Sequence, residues 1–226
     1  MPRQTKQART ALRWVTVVVG GLAIFAATWL TALRYINPPL TALQLQRWIE
    51  SFGSGDEYEM RRTFVPLAHI SPNLRRAVIA AEDGRFYQHY GLDWIELRKV
   101  IDAAAKAGEP ERGASTITQQ LVKNLFLTTR GSYVRKVAEV PLALLAELIL
   151  SKDRILELYL NVVEWGPGVF GAEAAARRHY QTSSATLSRD QAARLAACLP
   201  SPRRWRPQQM DRYSAIILGR MRRMGY

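Results

Sequence analysis

Residues 71–91 read SPNLRRAVIAAEDGRFYQHYG, and the reading of this stretch decides the fold. Ser71 followed by Pro72 is an N-cap signal with proline at the first helical position, where its missing amide hydrogen is no loss. Leu74, Ala77, Val78 and Ala81 then recur at helical spacing, so one face of a helix is apolar. Glu82 lies four residues after Val78 and eight after Leu74, on that same stripe. Carboxylates rarely face a core without a partner. Burial there disfavours the ionised form and moves the carboxyl toward neutrality, as a general base requires. Asp83 points elsewhere, toward a sugar hydroxyl, a cation or a backbone amide. Phe86, His89 and Gly91 follow where the helix ends. On residues alone, a capping and ion-pair cluster at a helix end accounts for the same letters.

The helical pattern continues outward. From about Phe64 onward strand alternation is scarce, and apolar helices are predicted over 116–127, 135–161, 171–180 and 188–199. Pro141 falls inside the second of these and predicts a kink or a restart. Loops are expected at SFGSGDE (51–57) and AGEPERGA (107–114). The segment WIELRKVIDAAAKA (94–107) carries Trp94, Ile95, Leu97, Val100 and Ile101 among charges. Core packing and a surface lying on a bilayer both fit it. The expected fold is mostly α, with one catalytic-sized domain.

GASTITQQLVKN (113–124) opens with Gly113 and hydroxyls at Ser115, Thr116 and Thr118. Thr116 and Gln119 fit a capping box, so a helix starts here. Helix N-termini present free amides and positive potential, which favour phosphate. Lys123 lies four residues after Gln119 and seven after Thr116, on one face with both. Hydroxyl, amide and ammonium together make a pyrophosphate cradle; an ordinary capped helix is the plainer account.

Location comes from the other end of the chain. Trp14 to Leu33, WVTVVVGGLAIFAATWLTAL, is a run of 20 residues without a charge. At about 1.5 Å per residue it covers about 30 Å, the thickness of a bilayer core. Arg3, Lys6, Arg9 and Arg13 precede it and no acid occurs before Glu50. The positive-inside rule then puts the N-terminus in the cytoplasm and the remainder outside. The apolar run is long for a cleaved signal, and Thr-Ala-Leu-Arg is a poor cleavage site. The expected division is a basic arm at 1–13, an anchor at 14–36, a linker at 37–63 and a catalytic domain at 64–226. The formal net charge of +13 and pI near 10.4 favour polyanions. With the domain outside, the polyanion is lipid, and nucleic acid is excluded as a partner. Cys198, the one cysteine, allows no intrachain disulfide and reads as a buried thiol.

Three further residue groups complete the pattern. RKVAE places Arg135, Lys136 and Glu139 within one helical turn; SKDRILELYLN (151–161) and GPGVFGAEAAARRHY (166–180) follow. The string Glu-Asp-x-x-Phe-x-x-His-x-Gly at 82–91 resembles the first signature of the peptidoglycan glycosyltransferases at every specified position. Gly-x-Ser-Thr-Ile-Thr-Gln-Gln-x-x-Lys-Asn at 113–124 is similar to their second. Arg-Lys-x-x-Glu and Lys-x-x-Ile-Leu-Glu-x-Tyr-Leu-Asn are similar to the third and fourth. In the fifth, Tyr180 matches and Gln181 replaces the usual Phe. The resemblance covers about residues 64–200, and with the chain ending at Tyr226 it is of the monofunctional type.

That resemblance implies a lysozyme-like α fold in a bacterial inner membrane, periplasmic in a Gram-negative cell. It implies lipid II and the growing glycan strand as substrates, with cell-wall synthesis or division proteins as partners. The 4-hydroxyl of a lipid II GlcNAc attacks the anomeric carbon of the strand, with inversion, and polyprenyl pyrophosphate leaves. The residues carried over are Glu82 and Glu139 as catalytic. Asp83, Phe86, His89, Ser115, Thr116, Gln119, Gln120, Lys123, Asn124, Arg135 and Lys136 are carried over as substrate-binding. A divalent cation, Mg or Mn, is compatible with the pyrophosphate chemistry; no metal ligands are assigned. A lysozyme-like hydrolase or lytic transglycosylase and a non-enzymatic basic membrane-binding protein are the alternatives. The arginine-rich stretch from Arg203 reads either as a solvated tail or as a contact with anionic lipid.

Overall fold

The structure, a computed structural model, describes residues 2–52, 59–107, 115–128 and 133–226; for 2–8, 11, 104, 106–107 and 133–134 only the backbone is described. The expected loop at 107–114 beyond Ala107, with Gly113, and the tip of the 51–57 loop lie outside the described residues.

Helix α1 runs Pro2–Leu33, so the basic arm and the apolar span form one continuous helix. Helix α2 (Ala42–Ser51) starts at a Thr41 capping box closed by Gln44. Strand β1 (Arg61–Arg62) leads to α3 (Pro72–Glu82), capped by Ser71 with Pro72 in the first turn, as its sequence requires. Helices α4 (Trp94–Ala107), α5 (Ile117–Phe126), α6 (Tyr133–Ile149) and α7 (Lys152–Val162) follow. A hairpin of β2 (Glu164–Gly166) and β3 (Val169–Phe170) precedes α8 (Ala172–Tyr180), α9 (Arg189–Cys198) and α10 (Asp211–Arg223). The small sheet has the order β1-β3-β2, with β1 parallel and β2 antiparallel to β3. A mostly α chain with one N-terminal apolar helix is what the periodicity predicts.

The core has two connected halves. α3 packs on α9, and α10 lies across both; α5 packs on α6 and α7. Leu74 and Val78 on α3, Ile117 and Leu121 on α5, and Ile155 and Tyr159 on α7 are fully buried. Asn161 at the end of α7 accepts from the Val65 amide (2.8 Å) and donates to the Val65 carbonyl (2.9 Å). Glu157 accepts from the Leu67 amide at 2.6 Å. The fourth motif therefore braces the segment that feeds α3. Gly171, at φ 86°, is required where α8 begins: a Cβ would lie 2.7 Å from the Asn161 carbonyl.

Three expectations change. The helix predicted over 135–161 is two helices, broken at Leu150–Ser151, where the Ser151 hydroxyl caps the Arg154 amide. Pro141 does not break α6. The carbonyl that it leaves without a helical donor belongs to Val137, an exposed residue where water can replace the amide. The arginine-rich C-terminus is neither a loose tail nor wholly a surface contact. In α10, Ser214, Ile217 and Met221 are buried against α3 and α9 while Arg212, Arg222 and Arg223 are exposed. On α4 the choice left open by the sequence falls outward: Trp94 is 67% exposed, and Ile95 and Ile101 are exposed with it. Cys198 is buried as expected, and burial pushes its thiol up to about 12.

The anchor is not loosely tethered. Ala26, Leu30 and Leu33 of α1 are buried, and α1 packs on α6. Arg154 on α7 donates through Nε to the Leu33 carbonyl at 2.8 Å, and through Nη2 to Ile36 (2.6 Å) and Asn37 (3.0 Å). The same guanidinium pairs with Glu157 and sits over the Phe64 ring. One arginine thus caps the end of the apolar helix and holds it to the domain. Arg154→Ala is expected to destabilise the full chain by about 2–3 kcal/mol, because charged hydrogen bonds are lost and Glu157 stays behind. A drop in the thermal midpoint in detergent would show it; an unchanged midpoint would mean that the clamp is incidental.

Candidate active site

Glu82 is the last residue of α3, partly buried, where the apolar stripe meets solvent. Its Oε2 accepts from Gln120 Nε2 at 2.7 Å, and Gln120 Oε1 accepts from the Tyr159 hydroxyl at 2.9 Å. Asp83 turns away into the protein. Its carboxylate meets His89 Nε2 at 2.9 and 3.1 Å and accepts from the Ile117 amide at 3.0 Å. Of the partners open to Asp83, it takes a backbone amide, at the N-terminus of α5, where the helix dipole favours a negative charge. Phe86 is fully buried, edge-on to His89, with the Lys152 ammonium 4.5 Å from its ring centre. Gly91, at φ 81°, lies so close to α6 that a Cβ would stand 3.2 Å from the Ala143 carbonyl.

The start of α5 is built as its capping box predicts. Thr116 accepts from the Gln119 amide, Gln119 Oε1 accepts from the Thr116 amide at 3.0 Å, and the Thr116 hydroxyl donates to the Gly91 carbonyl at 2.6 Å. Thr116 and Gln119 are thus buried and committed to holding the helix start. Asn124 is also buried. Thr118 donates to Glu147 at 2.5 Å, and Glu147 pairs with Lys152 at 2.7 Å.

Above this start, α6 contributes the bases. Buried Glu139 holds Arg135 at 2.7 Å and Lys136 at 2.8 Å. Lys136 also reaches the Ser115 hydroxyl at 2.7 Å, which joins α6 to the entrance of α5. Burial pushes the Lys123 ammonium below the ordinary lysine range. The charge of Glu139 pulls it back up, Arg135 and Lys136 push it down, and Glu82 pulls weakly up. Lys123, Arg135, Lys136, Glu139 and Glu82 are therefore one electrostatic cluster. Beside it opens a cavity of about 270 Å³ whose lining includes Glu82, Ser115, Thr116, Lys99 and Arg220. Two of its walls carry no motif residue: Lys99 on α4 and Arg220 on α10.

The structure thus brings Glu82, Gln120, Ser115, Lys123, Arg135, Lys136 and Glu139 together, with Glu82 and Ser115 on the cavity wall. Asp83 and Thr116 also line that cavity while their polar atoms hold the start of α5; Phe86, His89, Gln119 and Asn124 are buried and shape the site. Tyr159 and Arg220 were not singled out as site residues by the sequence. Tyr159 sits in a motif that reads as core packing, and Arg220 is one of many C-terminal arginines. Among the described residues, the buried groups Asp83, His89 and Asp93 have ligand atoms within 4.8 Å of one another. Their oxygens are already taken. Asp93 accepts from the Ile95 and Glu96 amides and pairs with Arg85, and Asp83 holds Ile117 and His89. That set does not fit a divalent cation without dismantling the starts of α4 and α5.

The model of the transglycosylase family matches residues 47–222, most of the chain and all of the site just described. A biosynthetic peptidoglycan transglycosylase of Dechloromonas aromatica (strain RCB) is 44% identical, over 92% of this chain and 95% of its own length. One from Thiobacillus denitrificans (strain ATCC 25259 / T1) is 46% identical, over 86% and 87%. One from Ectopseudomonas mendocina (strain ymp) is 44% identical, over 91% and 84%. With a family match of this extent and relatives this similar along nearly their whole length, the chain belongs to the transglycosylase family.

Proposed function

We propose that this chain polymerises peptidoglycan glycan strands from lipid II at a membrane surface. The observation that carries the reading is the electrostatic juxtaposition of a held carboxylate, Glu82, with the Lys123–Arg135–Lys136–Glu139 cluster, beside a cavity that Glu82 and Ser115 line. The arrangement suits displacement at an anomeric carbon bearing a pyrophosphate. Glu82 takes the proton of the attacking 4-hydroxyl as the new bond forms. The C–O bond to the pyrophosphate breaks on the opposite face, with inversion. The leaving group is already a weak base, so charge stabilisation replaces a strong general acid. Lys123, Arg135 and Lys136 supply it, with Ser115 beside them; Glu139 aims two of these bases and opposes positive charge developing on the sugar.

Leu12–Leu33 is long and apolar enough to cross a membrane and is mostly not buried by the protein. We assign 1–13 to a cytoplasmic arm, 14–36 to a single-pass anchor, 37–63 to a linking segment and 64–226 to an external catalytic domain. The described parts of the linking segment are folded: α2 packs on α5 and β1 pairs with β3. Outward Trp94 and Ile101 on α4, Trp48 on α2 and Phe52 just after it suit a bilayer surface near the substrate's lipid. Protease added outside intact spheroplasts is expected to digest the domain and spare an N-terminal tag; loss of the tag with the domain retained would reverse the topology.

The hydrolase alternative has no use for three clustered bases. Purified full chain with labelled lipid II is expected to give a ladder of long products that a muramidase destroys. Release of small sugars from preformed glycan, without any ladder, would favour the hydrolase.

A further inference from the structure

We infer that Tyr159 is a positioning residue for the reaction, acting on Glu82 through the Gln120 side chain. The inference rests on Glu82 being the base. The three residues come from three elements: the end of α3, the first turns of α5 and the middle of α7. They are linked by bonds of 2.7 Å from Gln120 to Glu82 and 2.9 Å from Tyr159 to Gln120. The direction of this chain follows from chemistry at its ends. An ionised carboxylate only accepts, so the amide nitrogen of Gln120 faces Glu82 and its carbonyl faces the phenol, which donates.

Tyr159 is the fixed point. Its ring is fully buried in the core between α5 and α7. Burial first, and then the charges of Glu82 and Asp83, hold its phenol well above the ordinary tyrosine range. The donor therefore keeps its proton at any working pH. Glu82, in contrast, sits at a helix end on a side chain with three rotatable bonds, beside open space. The Gln120 bond narrows the positions that its carboxylate can take, and proton transfer depends on that placement. The tether occupies Oε2 with an N–H, which that oxygen accepts in either protonation state. A donor hydrogen-bonded at its far end to a buried phenol is also polarised, which favours the ionised, base-competent carboxylate.

The charged groups that face Glu82 all remain when Tyr159 loses its hydroxyl. They are Asp83 beside it, Arg85 and Asp93 in the segment before α4, Lys123 on α5, Glu96 and Lys99 on α4, and Arg220 on α10. A change in the acid limb of the rate profile therefore reports the tether.

The test uses the full chain in detergent, with lipid II as substrate. Tyr159→Phe is expected to lower kcat about tenfold and leave KM within about twofold, since one hydrogen bond in a catalytic constellation is lost. The acid limb of the pH–rate profile is expected to move to higher pH. Gln120→Met is expected to do the same, and Tyr159→Phe added to Gln120→Met to do nothing more. An unchanged kcat and acid limb in Tyr159→Phe overturns the inference. So do effects that multiply in the double variant, because Tyr159 then acts independently of Gln120. If Tyr159→Phe melts below the assay temperature, Gln120→Met alone decides, by whether its acid limb moves. Glu82→Gln run in parallel separates the two readings: an active Glu82→Gln chain removes the base itself, whereas an inactive one with a wild-type Tyr159→Phe removes only the tether.

Discussion

Glu82→Gln is expected to abolish polymerisation while the chain folds and binds lipid II as before. The substitution keeps the size of the side chain and an oxygen for Gln120 to reach, so the 2.7 Å link can persist. What it removes is the ability to take a proton. A sugar hydroxyl is a poor nucleophile until its proton leaves, and a positioned base contributes about 10²- to 10⁴-fold. A rate below about a hundredth of wild type is therefore expected, with a thermal midpoint within a few degrees. Retention of more than about a tenth of the wild-type rate in a well-folded variant would move the base elsewhere, and Glu139 would be the next candidate. Its commitment to Arg135 and Lys136 makes it the weaker one, because both of its oxygens are already held.

The second large effect is expected at Lys123. Lys123→Met keeps the apolar stem and deletes the charge that the proposed mechanism sets against the leaving pyrophosphate. A preorganised charge in a half-dry site is worth about 10²- to 10³-fold, so kcat/KM is expected to fall by that factor, with Lys123→Arg recovering part of it. Stability should move the other way. Burial lowers the folded-state pKa of Lys123 below its unfolded value. For a base so shifted, the charged form is disfavoured in the fold at neutral pH. The cost is relieved only as pH rises through the folded value toward the unfolded one. Removing the group removes that cost, so the thermal midpoint at neutral pH is expected to stay level or rise as activity collapses. A fall in both together would mark Lys123 as structural and would leave the pyrophosphate to Arg135 and Lys136.

The same opposition explains why the site could be read from local sequence at all. Glu82 stands on a stripe otherwise made of Leu74, Ala77, Val78 and Ala81, where burial favours an apolar side chain. Lys123, in contrast, shares one face of α5 with Thr116 and Gln119, where the hydroxyl, amide and ammonium form a polar cluster. Charges placed against the grain of a helical face are visible without coordinates, because the period of the helix is a local property. The caps at Ser71 and Thr116 are legible for a similar reason: each satisfies helix-end amides within three residues of itself.

What stayed hidden are the places where a local pattern has two solutions. The run 135–161 is apolar with helical period throughout, and nothing in the period separates one long helix from two. The break at Leu150–Ser151 arises because α7 must turn to pack on α5, and Ser151 then serves as a cap. Trp94 and Ile101 are apolar whether they face a core or stand on the surface, and only the position of α4 outside the packed helices shows them to be exposed.

By itself, then, the sequence determined the helical class, the apolar anchor, the helix starts, and which charges stand apart from structural ones. All of these follow from interactions within about two helical turns. Only the tertiary structure decided that Asp83 serves the start of α5, that Arg154 caps the anchor from 121 residues away, and that Tyr159 reaches Glu82 through Gln120. Those links join side chains far apart in the chain. Their partners are selected by how helices pack, and no local periodicity encodes it.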